Sequence, residues 1–164
     1  FTPLQLATYC ATIANNGTRL KTHLVKQVTN YNRDQVISET EPEVVAQVDI
    51  SEENLKTVQE AMKGVTQSGG TANSVFGDYG ITIAAKTGTA ENPGHSDNVT
   101  FIAYAPYYDP EIAVAVVLEY GSRGTYSMNV AKDIFDAYFY GKTVDENGNL
   151  VMPEETNSSS TANE

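Results

Sequence analysis

Ile81-Thr82-Ile83-Ala84-Ala85-Lys86-Thr87-Gly88-Thr89-Ala90-Glu91 opens with β-branched and small residues and then carries a lysine, a threonine and a glycine in succession. Such an opening predicts an extended strand that delivers Lys86, Thr87, Gly88 and Thr89 along the wall of a cleft. The chemistry of these four residues is local. The Lys86 ammonium and the Thr87 hydroxyl present positive charge and a donor to a carboxylate. Gly88 has no Cβ to block a peptide-like ligand, and Thr89 offers backbone groups for strand-like pairing with it. A bare Lys-Thr-Gly match is a weak signal, because an ordinary strand with a solvated lysine carries the same letters.

The flanking sequence supplies a sheet for that strand. After Glu91 a turn-rich loop, Asn92-Pro93-Gly94-His95-Ser96, leads to two more strand candidates, residues 99–107 and 111–119, parted by Tyr108-Asp109-Pro110. The run Ile112–Leu118 is apolar on both faces, which predicts a central strand covered on both sides. Residues 121–124 turn the chain into a last helix whose Val130, Ala131, Ile134, Phe135 and Tyr138 form a face to lie on the sheet. Upstream, Ser51 caps a helix with Glu52 and Glu53 in its first turn and Leu55, Val58, Met62 and Val65 as its apolar stripe. A glycine-rich connection over residues 67–71 and a helical turn over 71–75 follow it. Thr2 and Pro3 start the first helix, in which Leu4, Leu6, Ala7, Cys10, Ile13 and Ala14 recur until Asn15-Asn16-Gly17 ends it. Residues 19–48 read as two or three short strands forming a charged, peripheral hairpin.

A chain of 164 residues with 40% hydrophobic content has room for one domain with a real core. Ten basic residues against 21 acidic ones, a net charge of -11, argue against a nucleic-acid or anionic-membrane surface. Cys10 is the sole cysteine, so it forms no internal disulfide, and its apolar helical setting reads as a buried structural thiol. No run approaches the roughly 18 apolar residues of a membrane span. Phe1 leads directly into a helix signal without a basic and apolar leader, so the chain reads as cut from something longer.

Five motifs, taken in order, resemble the C-terminal half of the transpeptidase domain of class B penicillin-binding proteins. They are Thr2-Pro3-Leu4-Gln5-Leu6-Ala7, the helix end Ala14-Asn15-Asn16-Gly17, Ser68-Gly69-Gly70-Thr71-Ala72, Lys86-Thr87-Gly88-Thr89-Ala90-Glu91 and Phe101-Ile102-Ala103-Tyr104-Ala105-Pro106. Lys-Thr-Gly is a motif which that family shares with serine β-lactamases. The resemblance implies an α/β (α+β) fold over residues 1–140: three consecutive antiparallel strands flanked by the first, second and last helices. Residues 141–164, polar and acidic, are then expected to be a disordered tail. The resemblance further implies an enzyme on the extracytoplasmic face of the bacterial cell membrane, anchored by an N-terminal segment outside this chain. Its ligands would be peptidoglycan stem peptides ending in D-Ala-D-Ala and β-lactams. Its partners would be the N-terminal half of the domain and a cell-wall synthesis complex, with no cofactor and no metal. Residue by residue, it implies that Lys86 serves the nucleophile's proton network and the substrate carboxylate, and that Thr87 hydrogen-bonds that carboxylate. Gly88 gives clearance, and the Thr89 backbone N–H supplies half of an oxyanion hole.

The family's nucleophile comes from Ser-x-x-Lys, and no serine here has lysine three residues later. The acylating residue is therefore absent from this chain. Ser96-Asp97-Asn98 and Ser127-Met128-Asn129 spell the family's second motif, Ser-x-Asn, but both follow Lys86 where the family's motif precedes it, so both read as coincidences. His95 beside Asp97, and His23 in a β-like stretch, read as polar surface rather than metal ligands. Asn98-Val99-Thr100 stands where the family often has bulky aromatic or histidine residues, which bears on substrate preference. A D,D-carboxypeptidase, a β-lactamase, or a noncatalytic β-lactam-binding or structural module with the same cleft remain alternatives at this level.

Overall fold

Thr2 starts the first helix with a reciprocal pair of hydrogen bonds. Its hydroxyl accepts from the Gln5 N–H at 3.2 Å and its own N–H donates to Gln5 Oε1 at 2.8 Å; Pro3 fills the first helical position, and α1 runs Pro3–Ala14. The computed structural model describes residues 1–152. Gly17, at φ 83°, takes the chain out of α1 through the left-handed region. Four short strands follow, β1 (Thr18–Leu20), β2 (Gln27–Thr29), β3 (Val36–Glu39) and β4 (Val44–Gln47). Ser51 accepts from the Asn54 N–H at 3.3 Å and opens α2 (Glu52–Gly64), and α3 (Asn73–Phe76) is a single further turn. Then come β5 (Ala84–Ala90), β6 (Asn98–Ala105), β7 (Ile112–Leu118), α4 (Gly124–Tyr140), β8 (Thr143–Val144) and β9 (Leu150–Val151).

β5, β6 and β7 form one antiparallel sheet in that order. Alternation along β6 divides its side chains between two cores. Phe101, Ala103 and Ala105 join Phe76, Met128, Ala131 and Phe135 from α3 and α4, whereas Ile102 and Tyr104 join Cys10, Ile13, Leu55 and Met62 from α1 and α2. Phe101, fully buried, stacks on Phe76 with ring centroids 5.5 Å apart. Burial of one such ring contributes about 2 to 3 kcal/mol. The result is a helix–sheet–helix sandwich, the fold that the motifs imply.

Four details differ from the sequence-based expectations. β6, not β7, is the middle strand; β7 is apolar on both faces because α1 and α4 cover it, a property of layers rather than of strand order. The segment after α1 makes two separate ladders, β1 with β4 and β2 with β3, in place of one hairpin, and Val36, Ile37, Val44 and Val45 stay exposed on them. On α4 the buried apolar positions are Met128, Ala131 and Phe135, while Val130, Ile134 and Tyr138 are exposed, so the helix is rotated relative to the stripe read from its sequence. Residues expected to begin a disordered tail instead form a small antiparallel hairpin of β8 and β9; the rest of that expectation, residues 153–164, lies outside the described residues. Cys10 is fully buried in the α1–α2 core, and burial pushes its thiol up to about 12, consistent with a structural thiol.

Candidate functional site

β5 emerges from the core partway along its length. Ala84 and Ala85 are fully buried, one in each core, which fixes the strand's two faces. By alternation Lys86 and Gly88 project to the α1–α2 side, and Thr87 and Thr89 to the α3–α4 side. Lys86 and Thr89 are exposed; Thr87 and Gly88 are half-buried. The sheet pairs β5 on one side only, so alternate residues of the strand turn backbone N–H and C=O groups outward, free for another extended chain.

Each residue of the quartet has a distinct neighbour. The Lys86 ammonium donates to the carbonyl of Thr87, and among the described residues it makes no ion pair. A cation left without a carboxylate on an exposed strand is available to an anionic ligand. The Thr87 hydroxyl lies 3.1 Å from the Thr71 hydroxyl, on the loop before α3. A Cβ on Gly88 would overlap the hydroxyl oxygen of Thr100, its partner on β6. Gly88 thus leaves room for its neighbour's hydroxyl as well as for close approach by a ligand.

The two Ser-x-Asn segments have other partners. Ser96 is exposed in the loop between β5 and β6, and that loop is tied to the turn after β7: the Asp97 carbonyl accepts from the Ser122 N–H at 3.1 Å, and Asn98 Oδ1 from the Tyr120 N–H at 2.9 Å. His95 lies against the Tyr120 ring, with centroids 5.4 Å apart. Ser127 is fully buried and donates to the Gly124 carbonyl at 2.8 Å within the first turn of α4. Among the described residues no three His, Cys, Asp or Glu side chains come together as metal ligands would. A groove of about 760 Å³, lined in part by Asn16, Asp49, Lys56, Gln59 and Tyr107, includes none of Lys86–Thr89.

Two clusters escaped the sequence reading. Thr66, 1% exposed, donates its hydroxyl to the Ile83 carbonyl at 2.7 Å, pinning the loop after α2 to the residue before β5. Asp136, 2% exposed, accepts from Tyr79 Oη at 2.8 Å, Lys132 Nζ at 2.9 Å and Lys142 Nζ at 2.8 Å. Burial pushes the Asp136 carboxyl up, but the bonds from Lys142, Lys132 and Tyr79 outweigh it and hold it below the usual carboxylate range. The same burial and the same bond push the Tyr79 phenol up. Asp136, one of two aspartates in α4, carries no sequence signal for a partner as far off as Tyr79.

A family model described as the penicillin-binding protein transpeptidase domain matches residues 1–139. Penicillin-binding protein 2A of Bacillus subtilis (strain 168) is 35% identical over 158 residues, covering 85% of this chain and 22% of that protein. Among solved structures, penicillin-binding protein 2B from Streptococcus pneumoniae (strain R6) superposes with a TM-score of 0.72 at 33% identity, over 84% of this chain and 24% of that one. Penicillin-binding protein A from M. tuberculosis, solved as an imipenem acyl-enzyme complex, superposes with a TM-score of 0.71 at 29% identity, over 85% of this chain and 31% of that one. The chain spans between 18% and 24% of the length of curated relatives it matches.

Proposed function

The chain belongs to the penicillin-binding protein transpeptidase family, and from that premise we propose that it is the substrate-strand part of a peptidoglycan D,D-transpeptidase of class B. The observation that carries this reading is Lys86-Thr87-Gly88-Thr89 on an exposed edge strand, its lysine free of ion pairs among the described residues. In the proposed reaction a serine attacks the carbonyl between the two terminal D-alanines of a stem peptide. The terminal D-Ala leaves, and an amine of a second stem takes the acyl group from the serine ester. β-Lactams are attacked by the same serine and remain as the ester.

This chain's part is to bind and polarise. Lys86 supplies positive charge for the terminal carboxylate and for the proton network of the nucleophile, and Thr87 donates a hydrogen bond to the carboxylate. The stem peptide lies along the outer edge of β5 as an added strand. The Thr89 N–H, facing the carbonyl under attack, stabilises the oxyanion, together with the N–H of the nucleophile. The nucleophile itself, from Ser-x-x-Lys, is supplied by the preceding half of the domain, because no serine of this chain fits that motif. The protein works on the extracytoplasmic face of the cell membrane, anchored by a segment outside this chain, within a cell-wall synthesis complex.

Fluorescent penicillin tests the reading. The intact protein is expected to be labelled one-to-one at a Ser-x-x-Lys serine, and residues 1–164 alone to remain unlabelled. Label mapped to Ser96, or an intact protein that never acylates, overturns it; the second result favours a noncatalytic module.

A further inference from the structure

Thr87 is not held by the strand alone. Its hydroxyl meets that of Thr71 at 3.1 Å, across 16 residues of chain. Thr71 is exposed, but its backbone is fixed from both sides. Ahead of it, Gly70 is pressed so closely onto the end of α2 that a Cβ would overlap the carbonyls of Val65 and Gly64. Behind it, the Ala72 N–H donates to the Val65 carbonyl at 2.9 Å, and Ala72 is fully buried. The same loop is bolted to the root of β5 by Thr66, whose buried hydroxyl donates to the Ile83 carbonyl at 2.7 Å. Loop and strand therefore move as one piece, and Thr71 keeps its place against Thr87.

We propose that Thr71 is a positioning residue for this site, fixing the rotamer and the proton of the Thr87 hydroxyl for the substrate carboxylate. The proposal rests on the function assigned above to Thr87. A threonine hydroxyl has one proton and rotates freely unless something fixes it. When Thr71 donates to Thr87 Oγ1, the Thr87 proton is left for the carboxylate, and the two bonds in series polarise each other. A bond between two solvent-reachable hydroxyls adds little to folding, since water offers each the same partner. Its value lies in removing rotamers in which Thr87 would point its proton elsewhere.

The test uses the intact transpeptidase carrying this chain, with benzylpenicillin and its methyl ester as paired probes. Acylation by benzylpenicillin, which has the free carboxylate, should fall roughly tenfold in Thr71→Val, the weight of one neutral hydrogen bond. Thr71→Ser should stay within about twofold of the parent, since it keeps the hydroxyl. The methyl ester should acylate parent and both variants alike. An unchanged rate with benzylpenicillin in Thr71→Val, or an equal loss with the ester, overturns the proposal; should Thr71→Val unfold, Thr71→Ala carries the same comparison. Thr87→Val, run alongside, separates the two readings. If it too loses nothing with benzylpenicillin, the carboxylate role of the strand fails; if it loses rate and Thr71→Val does not, only the role of Thr71 fails.

Discussion

Gly88 and Thr100 share one space: the Thr100 hydroxyl, across the β5–β6 ladder, stands where a Cβ on Gly88 would go. The obstacle is a side chain on a neighbouring strand, so it is removable. Gly88→Ala is expected to lower stability by about 1 kcal/mol through forced rotation of Thr100. Gly88→Ala combined with Thr100→Ala should regain most of that loss, read as the midpoint of denaturant unfolding of the intact protein. A double variant no more stable than Gly88→Ala would show that Thr100 is not the constraint.

Asp136 gives the fold a defined acid sensitivity. Its carboxyl is held below the ordinary value by Lys142, Lys132 and Tyr79 despite burial, so the folded state binds its proton more weakly than the unfolded chain does. That stability is fully present above the ordinary carboxylate pKa and drains away as pH falls below it. Asp136→Asn should cost about 2 kcal/mol at neutral pH, the loss of charged partners around a buried group. It should also flatten the slope of stability against pH in the acid range. An unchanged slope would mean that other carboxylates carry the acid response.

What the sequence made legible was local. Thr2-Pro3 and Ser51 announce helix starts because a cap and its N–H partner lie three residues apart, and β-branched, small and apolar runs bounded by turn residues announce β5, β6 and β7. The quartet Lys86–Thr89 was legible as a motif because its chemistry sits in consecutive residues. What was hidden depends on register and rotation. Strand order put β6 in the middle although β7 is the more uniformly apolar; α4 buries Met128, outside the expected stripe, beside Ala131 and Phe135, and leaves Val130 and Ile134 exposed. Thr100 under Gly88, Thr71 beside Thr87 and Tyr79 on Asp136 are meetings across 12, 16 and 57 residues, and no local pattern encodes them.

Lys142 illustrates the consequence for mutagenesis. From sequence it belongs to an acidic tail and looks like a neutral control for Lys86; in the structure it donates to buried Asp136 at 2.8 Å. Lys26, for which no ion pair occurs among the described residues, is the better control. Lys86→Ala in the intact protein should slow β-lactam acylation on the order of a hundredfold, about 3 kcal/mol of lost electrostatic stabilisation. Lys26→Ala should leave the rate alone, and Lys142→Ala should lower stability with a smaller effect on acylation. Equal rates for the parent and Lys86→Ala would remove Lys86 from the site.

Thr89 separates backbone chemistry from side-chain chemistry. Its side chain is exposed and projects to the α3–α4 side, as that of Thr87 does, while its proposed contribution is the N–H toward the oxyanion and the C=O toward the substrate amide. Both survive substitution, and Thr89→Ser and Thr89→Ala should retain most of the acylation rate. Blocking the ligand's approach at the preceding residue should not be tolerated. Because Gly88→Val alone would confound that test by striking Thr100, the informative variant is Gly88→Val with Thr100→Ala, which removes the hydroxyl that a Cβ at this position would overlap. That protein should fold, as circular dichroism would report, and fail to trap a β-lactam. A folded Thr89→Ala that is inactive, or a folded Gly88→Val/Thr100→Ala variant that acylates normally, would mean that the substrate meets the other face of β5 or a register one residue away.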